Sequence, residues 1–474
     1  MERKWWTLLL VSIATFMLLL DVTVVNVALP DIQRDLKASI SSLQWVVDAY
    51  SLALAAVLLT AGSIGDRFGR RRVFTCGFAL FTAASLCCAL AGDPTVLDLA
   101  RGAQGVGASG MLATSLALIG QEFEGRERAT AIGVWGATIG GAVAIGPLVG
   151  GALTEGFGWQ SIFLVNVPIG IVAIALGEAK IVNAHGDRPE PIDVPGLVAF
   201  TLGLFLLVLG LIRADASGWG SATIVACFAG AACLLGAFVL IELRSTHPML
   251  DLGLFSNRAF VGASLATFAL CAGMFAMYLY LTVYLQSVLG YSPLQAGLRF
   301  LPMTVPSFVM APVAAALSHR IHLRTLLGLG LTLVGAGLAL MGGLTAESGW
   351  TDLLAGLIVA GIGQGISNPA IGQAAIAVVP PERAGMGSGI SNTFRQVGVA
   401  TGIAALGAVF ESTAGHEVLA ASTPTFVVGL NRLLLIAASL SFLGAAAALM
   451  MGRQVGVARP RAAVSRRAAG SAPD

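Results

Sequence analysis

Apolar stretches of about 20 residues recur along the chain and are separated by short polar breaks. A helix that crosses the hydrocarbon core of a bilayer needs roughly 20 mostly apolar residues, so each stretch is long enough to span a membrane. Fourteen stretches can be delimited, at 7–29, 43–62, 73–91, 95–119, 129–152, 162–180, 194–213, 219–241, 259–284, 294–316, 324–343, 350–374, 386–410 and 425–451. The pattern predicts an all-α polytopic membrane protein with fourteen transmembrane helices.

The composition agrees with this prediction and excludes several classes of function. Of 474 residues, 56% are hydrophobic and 11% are charged, and the mean hydropathy is +0.85, which is far too apolar for a soluble domain. The net charge of +2 gives no basic surface for nucleic acid. The histidines and cysteines form no catalytic or metal-ligating cluster, and no phosphate-binding GxxxxGK[ST] sequence occurs. We expect neither an enzyme, nor a cofactor or metal, nor an ATP-driven pump.

Basic residues occur in every second break between the apolar stretches. Loops rich in arginine and lysine stay on the cytoplasmic side of a membrane, which predicts that both termini are cytoplasmic. The residues placed in these loops are Arg67, Arg70, Arg71, Arg72, Arg126, Arg128, Arg188, Arg244, Arg258, Arg320, Arg324, Arg383 and Arg395. The segment 452–474 has no apolar periodicity and is predicted to be a disordered basic cytoplasmic tail.

Short sequences recur about 255 residues apart and indicate an internal repeat. The matched pairs are Leu43-Gln44 with Leu294-Gln295, Glu127-Arg128-Ala129 with Glu382-Arg383-Ala384, and Gly105-x-Gly107 with Gly363-x-Gly365. We predict an N-terminal six-helix half at 1–180, two inserted helices at 181–258 and a C-terminal half at 259–451. Parallel halves of this kind enclose a substrate cavity near the membrane midplane. The inserted helices carry no interior charge and are expected to be a lipid-facing spacer, with a role in substrate binding as the alternative.

Asp21 lies inside the first apolar stretch, where a charge costs roughly 2.5–3.5 kcal/mol on insertion scales. Such a carboxylate is retained for an ion pathway or for a partner, so Asp21 is a candidate proton-coupling residue. Interhelical packing through hydrogen bonds is the alternative. Arg101 is the one basic residue of the fourth span, where it either lies beside a carboxylate or extends to the outer headgroups. Asp48 and Glu411 are candidates for a second proton or cation site.

Residues 62–72 read GSIGDRFGRRR between the second and third spans and fill every position of a G-x-x-x-D-R-x-G-R-R-[RK] pattern. The pattern resembles the signature loop of the major facilitator superfamily. An acid at Asp66 can pair with arginine while it faces the positive end of a helix from the other half, which would latch the cytoplasmic side shut. The residues assigned to this latch are Gly62, Gly65, Asp66, Arg67, Gly69, Arg70 and Arg71.

Five further segments resemble the drug:proton antiporters of that superfamily, among them the fourteen-helix branch. LDVTVVNVALP at 20–30 implies that Asp21 couples to protons, and RGAQGVGASGM at 101–111 implies that Arg101 assists proton transfer. GPLVGG at 146–151 resembles the antiporter motif and implies export; its residues are Gly146, Pro147, Gly150 and Gly151. GWQSIFLVNVPIG at 158–170 and NTFRQVGVATG at 392–402 fit the same branch.

The resemblance implies a major facilitator fold with fourteen helices in a bacterial cell membrane. The expected function is proton-coupled export of amphipathic organic compounds, by a monomer whose partners are protons, a small-molecule substrate and membrane lipid. Uptake of a small metabolite by symport or uniport on the same fold is the alternative. Asn26, Tyr278 and Glu411 are candidates for the substrate cavity.

Overall fold

Helices are the regular secondary structure of this chain, in a computed structural model that describes residues 2–38, 40–182, 193–245, 250, 252–318, 320–377, 379, 384–414 and 423–451. The α-helices are α1 (Arg3–Leu36), α2 (Ile40–Phe68), α3 (Arg70–Ala89), α4 (Pro94–Glu122), α5 (Gly125–Phe157), α6 (Ser161–Leu164), α7 (Asn166–Lys180), α8 (Val194–Ser217), α9 (Ala222–Arg244), α10 (Arg258–Val283), α11 (Pro293–Arg299), α12 (Leu301–Leu317), α13 (Leu323–Leu340), α14 (Leu354–Ala377), α15 (Ala384–Ala414) and α16 (Thr423–Leu449). A π-helical turn, Tyr284–Val288, extends α10, and 3-10 turns precede α10 and α14 at Leu252–Ser256 and Trp350–Leu353.

Local sequence signals fix where several of these helices begin. Asp93 caps α4 by accepting hydrogen bonds from the backbone N–H groups of Thr95 (2.9 Å) and Val96 (3.1 Å), and Pro94 occupies the first helical position. A proline is tolerated there because the first N–H groups of a helix have no partner within it. α11 begins with a capping box of Ser292 and Gln295.

Twelve segments of the described residues are long and apolar enough to cross a membrane. The predicted tenth span, 294–316, is divided into α11 and α12, and the apolar α12 has only 17 residues. Pro302 lies at this junction and cannot donate a backbone hydrogen bond. α5, with 33 residues, is a further helix outside the twelve.

The helices pack in two groups and a hairpin, which we call the N bundle (α1–α7), the inserted hairpin (α8 and α9) and the C bundle (α10–α16). The same pairs of helices lie close together in both bundles. α1 packs on α5 as α10 packs on α15. α2 packs on α4 as α12 packs on α14, and α3 packs on α4 as α13 packs on α14. The bundles contact each other through α2 and α15 on one side and through α5 and α12 on the other.

Glycine contacts give the register of the repeat. A methyl group added to Gly105 would collide with the backbone of α2, and one added to Gly361 would collide with the backbone of α12. Gly107 and Gly363 approach α3 and α13 in the same manner. Gly105 therefore corresponds to Gly361 and Gly107 to Gly363. The predicted match of Gly105-x-Gly107 with Gly363-x-Gly365 is wrong by two residues, because spacing alone does not show which neighbour a glycine faces.

The inserted hairpin is more than a lipid-facing spacer. Side chains of α8, including Phe200, Leu204 and Val208, are buried in one apolar cluster with residues of α2 and α15. α8 therefore lies along the seam at which the two bundles meet. Sequence periodicity does not reveal this position, because α8 and α9 are apolar on the sides facing lipid as well as on the side facing protein.

Candidate functional site

Asp21 of α1 and Arg101 of α4 form an ion pair in the middle of the N bundle. Both side chains are 1% exposed, so neither charge is solvated by bulk water. Arg101 donates through Nη1 to Asp21 Oδ2, and Gln104 donates through Nε2 to Asp21 Oδ1 at 2.8 Å. Breaking a buried pair by removing one partner commonly costs about 3–5 kcal/mol, so the two residues stabilise each other strongly.

Two more buried side chains surround the carboxylate. Asn166, at the start of α7, donates to Asp21 Oδ1 at 3.5 Å and to Ser85 Oγ at 3.4 Å. Gln104 also donates to Ser85, at 2.9 Å. We call Asp21, Arg101, Gln104, Ser85 and Asn166 the buried polar cluster. It joins α1, α3, α4 and α7, so a change in the charge of Asp21 would be transmitted to four helices at once.

Arg101 is also held by α2. Its Nε donates to the carbonyl of Val46 at 2.8 Å, and its guanidinium lies 4.4 Å from the ring centroid of Tyr50. The Tyr50 hydroxyl donates to Leu18 O on α1 at 3.1 Å. An arginine over a desolvated aromatic ring gains roughly 2 kcal/mol. Arg101 is therefore fixed inside the bundle and does not extend to the headgroups.

Sequence reasoning missed three members of this cluster. Gln104 follows Arg101 by three residues, which places both on one helix face, and this spacing was a usable signal. Asn166 is a polar residue within the apolar stretch 162–180, which is a second usable signal. Ser85 gives no distinctive signal, because single hydroxyls are common in membrane helices.

The glycines of α5 allow α1 to approach close to Asp21. A methyl group on Gly146 would overlap the side chain of Thr23, and one on Gly150 would lie 3.1 Å from Val24 Cα. Gly151 faces open space, since a methyl group added there would meet no described atom within 4 Å. The side chain of Pro147 lies outside the described residues. The 146–151 segment thus packs against the turn that follows Asp21.

Asp66 lies at the end of the bundle where α2 meets α3, which we call the basic end. Its Oδ1 accepts from Arg70 Nε and Nη2, both at 3.0 Å, and its Oδ2 accepts from the backbone N–H of Met386 at 2.8 Å. Met386 lies in the first turn of α15, where N–H groups lack helical partners and the helix dipole is positive. A carboxylate of the N bundle therefore caps a helix of the C bundle.

The other residues assigned to the latch were predicted to lie in a loop between the second and third spans, but most of them lie in helices. Gly62 and Gly65 lie within α2, and only Gly69, with φ of 105°, forms the turn. Arg67 is in the last turn of α2, beside Asp66. Arg71 turns away and pairs with Glu178 of α7, with Nη2 and Oε2 3.2 Å apart. Turn glycines and helical glycines cannot be separated by composition, which explains the difference.

Asp48 has a partner on the inserted hairpin. Its Oδ2 lies 3.4 Å from Arg213 Nε of α8, and the two side chains are 13% and 15% exposed. The Arg213 guanidinium also lies 4.4 Å from the ring centroid of Trp45. Arg213 was not among the predicted site residues, because it stands at the end of an apolar stretch where a charge is ordinary.

The structure describes the side chain of one of the three candidates for the substrate cavity, Tyr278, so their grouping stays a prediction. The Tyr278 hydroxyl donates to Gln364 Oε1 at 3.3 Å, and the side chains of Asn26 and Glu411 lie outside the described residues. A groove of about 350 Å³ lies elsewhere, between α1 and α7, and is lined by apolar residues.

Arg395, predicted in a loop, lies inside α15. The described residues contain no group of three or more His, Cys, Asp or Glu side chains able to hold a metal.

Comparisons with known proteins agree with this architecture. The sequence profile of the Major Facilitator Superfamily matches residues 11–403. "Multidrug resistance protein Stp" of Mycobacterium tuberculosis is 38% identical over 408 residues, or 85% of this chain and 75% of the relative. "Tetracenomycin C resistance and export protein" of Streptomyces glaucescens is 35% identical over 420 residues, which cover 87% of this chain and 77% of the relative. The human organic anion transporter MFSD10 has the same fold, with a TM-score of 0.69, 14% identity, and coverage of 94% of this chain and 100% of that one.

Proposed function

Because the chain belongs to the Major Facilitator Superfamily, we propose that it exports amphipathic organic compounds from the cell in exchange for protons. It is a multi-pass protein of the plasma membrane, and its relatives include a multidrug resistance protein and an antibiotic export protein. We propose fourteen spans, the twelve long apolar helices together with α5 and the α11–α12 pair, with both termini in the cytoplasm. The transporting unit is a monomer with a central cavity between the two bundles.

The observation that carries the proton-coupling proposal is the buried ion pair of Asp21 and Arg101. Arg101 keeps its charge at all physiological pH values, so only the carboxylate can change its protonation. A proton on Asp21 removes the attraction between the two side chains and frees Arg101 from α1. Because Arg101 also holds α2 through Val46 and Tyr50, its release alters how three helices of the N bundle pack.

The contact of Asp66 with Met386 supports a latch at the basic end, which we assign to the cytoplasm. It joins the two bundles there and would hold the transporter open toward the outside. The bundles then alternate by rocking about the central cavity, with the latch broken in the inward-open state. Gly146 and Gly150 support the direction of transport through their resemblance to the antiporter motif and through their contact with the turn after Asp21.

The proposal is tested with the purified protein in liposomes that contain a pH-sensitive dye, with tetracenomycin C and ethidium as transport probes. We expect probe movement and proton movement in opposite directions in the native protein, and no probe-dependent proton movement in Asp21→Asn. Asp31→Asn is the matched control, because Asp31 lies on the same helix, is 39% exposed and pairs with its neighbour Arg34 at 3.1 Å. Proton and probe movement in the same direction would instead indicate symport, and normal exchange in Asp21→Asn would refute the coupling assignment.

A further inference from the structure

A second ionic site lies at the end of the bundle opposite the latch, where the inserted hairpin meets the N bundle. Asp48 of α2 pairs with Arg213 of α8 at 3.4 Å. Asp98 of α4 interacts electrostatically with both groups, and its buried Oδ1 accepts no hydrogen bond from the described residues. Two carboxylates of the N bundle, those of Asp48 and Asp98, thus interact with one guanidinium of the hairpin, that of Arg213.

One short segment of α2 connects this site to the buried polar cluster. Val46 and Tyr50 are four residues apart and contact Arg101, while Trp45 and Asp48 are three apart and contact Arg213. Spacings of three and four place residues on one helix face, so the α2 segment contacts Arg101 through one face and Arg213 through another. Asp98 lies one turn from Arg101 on α4 and gives a second connection.

The hairpin is also fastened to α2 nearer the basic end. Thr60 Oγ1 of α2 and Thr201 Oγ1 of α8 are 3.0 Å apart and form a hydrogen bond. The contact of α8 with α15 includes the apolar side chains Ile390 and Ala400. Polar contacts at two levels hold α8 to α2, whereas the described residues show α8 and α15 in contact through apolar side chains.

We propose that Arg213 is a positioning residue for proton coupling: it orients the Asp48 carboxylate and makes the inserted hairpin move with the N bundle. This inference rests on the proposed proton-coupled transport. Protonation of Asp48 removes the charge that holds Arg213, and the α2 segment that contacts Arg101 is then released from α8. The hairpin therefore belongs to the coupling machinery and is not a passive spacer.

The test is a distance measured across the mouth opposite the latch, and it needs no substrate. Spin labels are placed at Leu90, at the end of α3, and at Val428, near the start of α16, in a cysteine-free background; these side chains are 74% and 47% exposed. The distance distribution is recorded across a pH series. We expect a pH-dependent change in the native protein, and an upward shift of its midpoint by about one pH unit or more in Arg213→Gln, because the charge that favours ionised Asp48 is lost.

Two variants separate positioning from a structural role. Arg213→Lys keeps the charge and should restore most of the native midpoint. In a background that carries both Asp48→Asn and Asp98→Asn, Arg213→Gln should cause no further shift, because both carboxylates that interact with Arg213 are absent. This triple variant leaves no unpaired charge at the site and keeps the proposal testable if Arg213→Gln alone fails to fold. Arg299→Gln is the matched control, since Arg299 also lies over an aromatic ring, that of Tyr291, at 3.4 Å.

The proposal is overturned if the native distances do not depend on pH, if Arg213→Gln leaves the midpoint unchanged, or if it shifts the midpoint equally with and without the carboxylates of Asp48 and Asp98. Failure of the proposed function is a separate result. A protein whose distances respond to pH as expected, but which moves neither tetracenomycin C nor ethidium in liposomes, would contradict export of these compound classes and leave the role of Arg213 supported.

Discussion

The N bundle and the C bundle repeat the same helix contacts but differ at their centres. In the register given by the glycines, Arg101 corresponds to Leu357 and Gln104 to Ala360. Both of these C-bundle residues are buried in a continuous apolar cluster, and α10 contains no acidic residue to match Asp21. Among the described residues, the buried ion pair therefore lies in one bundle. The other bundle has apolar residues at the corresponding positions and supplies the helix start that Asp66 caps.

The two centres make different demands on their surroundings. A buried ion pair requires that every remaining polar atom finds a partner, and Asp21 has Arg101, Gln104 and Asn166. An apolar centre requires only close packing. We therefore expect a change in the charge of Asp21 to act first on the N bundle, which contains all three of these partners.

The largest expected effect comes from replacing polar residues at the centre of the N bundle by apolar residues like those at the centre of the C bundle. The triple variant Asp21→Ala, Arg101→Leu, Gln104→Ala should lose proton exchange completely in liposomes. It should be more stable than a variant that removes only Arg101, because no charge is left buried without a partner.

The single variant Arg101→Leu is the control for that comparison. It leaves Asp21 buried without its cation, and we expect a loss of about 3–5 kcal/mol in the free energy of unfolding. Thermal unfolding in detergent measures both variants. A triple variant that is less stable than Arg101→Leu would show that the polar cluster stabilises the N bundle as a whole.

Asp66→Asn tests the contact by which the N bundle reaches the C bundle. The amide keeps the size of the side chain but loses the charge at the start of α15 and the pair with Arg70. A partly buried charge at a helix start contributes up to about 2 kcal/mol, so we expect the ratio of outward-open to inward-open molecules to fall by up to about thirtyfold. The spin-label distance across the mouth measures that ratio, and Asp31→Asn should not change it.

Gly146→Ala and Gly151→Ala form a matched pair on α5. The first adds a methyl group that overlaps Thr23 and should cost about 1–3 kcal/mol of stability. It should also lower proton exchange, because α1 is displaced from α5 close to the position of Asp21. The second adds a methyl group into open space and should be neutral or slightly stabilising. Gly398→Ala, which faces Phe268 of α10, should reduce stability and leave the proton dependence of transport unchanged. Equal effects of Gly146→Ala and Gly151→Ala would contradict the packing role.

Tyr278→Phe should have the smallest effect. It removes one hydrogen bond to Gln364 in the C bundle, worth about 1 kcal/mol. We expect a small decrease in the thermal midpoint and an unchanged pH dependence of exchange. A changed pH dependence would mean that the C bundle takes part in proton coupling, contrary to our proposal.

Much of the fold could be predicted from the sequence, because apolar runs of about 20 residues have few alternatives in a bilayer. The predicted span near 194–213 corresponds to α8 (Val194–Ser217), whereas the span near 294–316 is broken at Pro302. Asp21 and Arg101 were recognisable because isolated charges in apolar helices are costly. The turn was predicted to involve several glycines but lies at Gly69, since helical and turn glycines look alike in sequence.

The sequence by itself determined the membrane setting, the helical architecture, the repeat, and the identity of Asp21, Arg101, Asp48 and Asp66 as charges that require an explanation. Only the tertiary structure decided their partners: Arg101 with Asp21, Arg213 with Asp48, and the start of α15 with Asp66. The physical reason is that insertion into a bilayer depends on the composition of each segment, whereas an ion pair depends on which faces of distant helices meet.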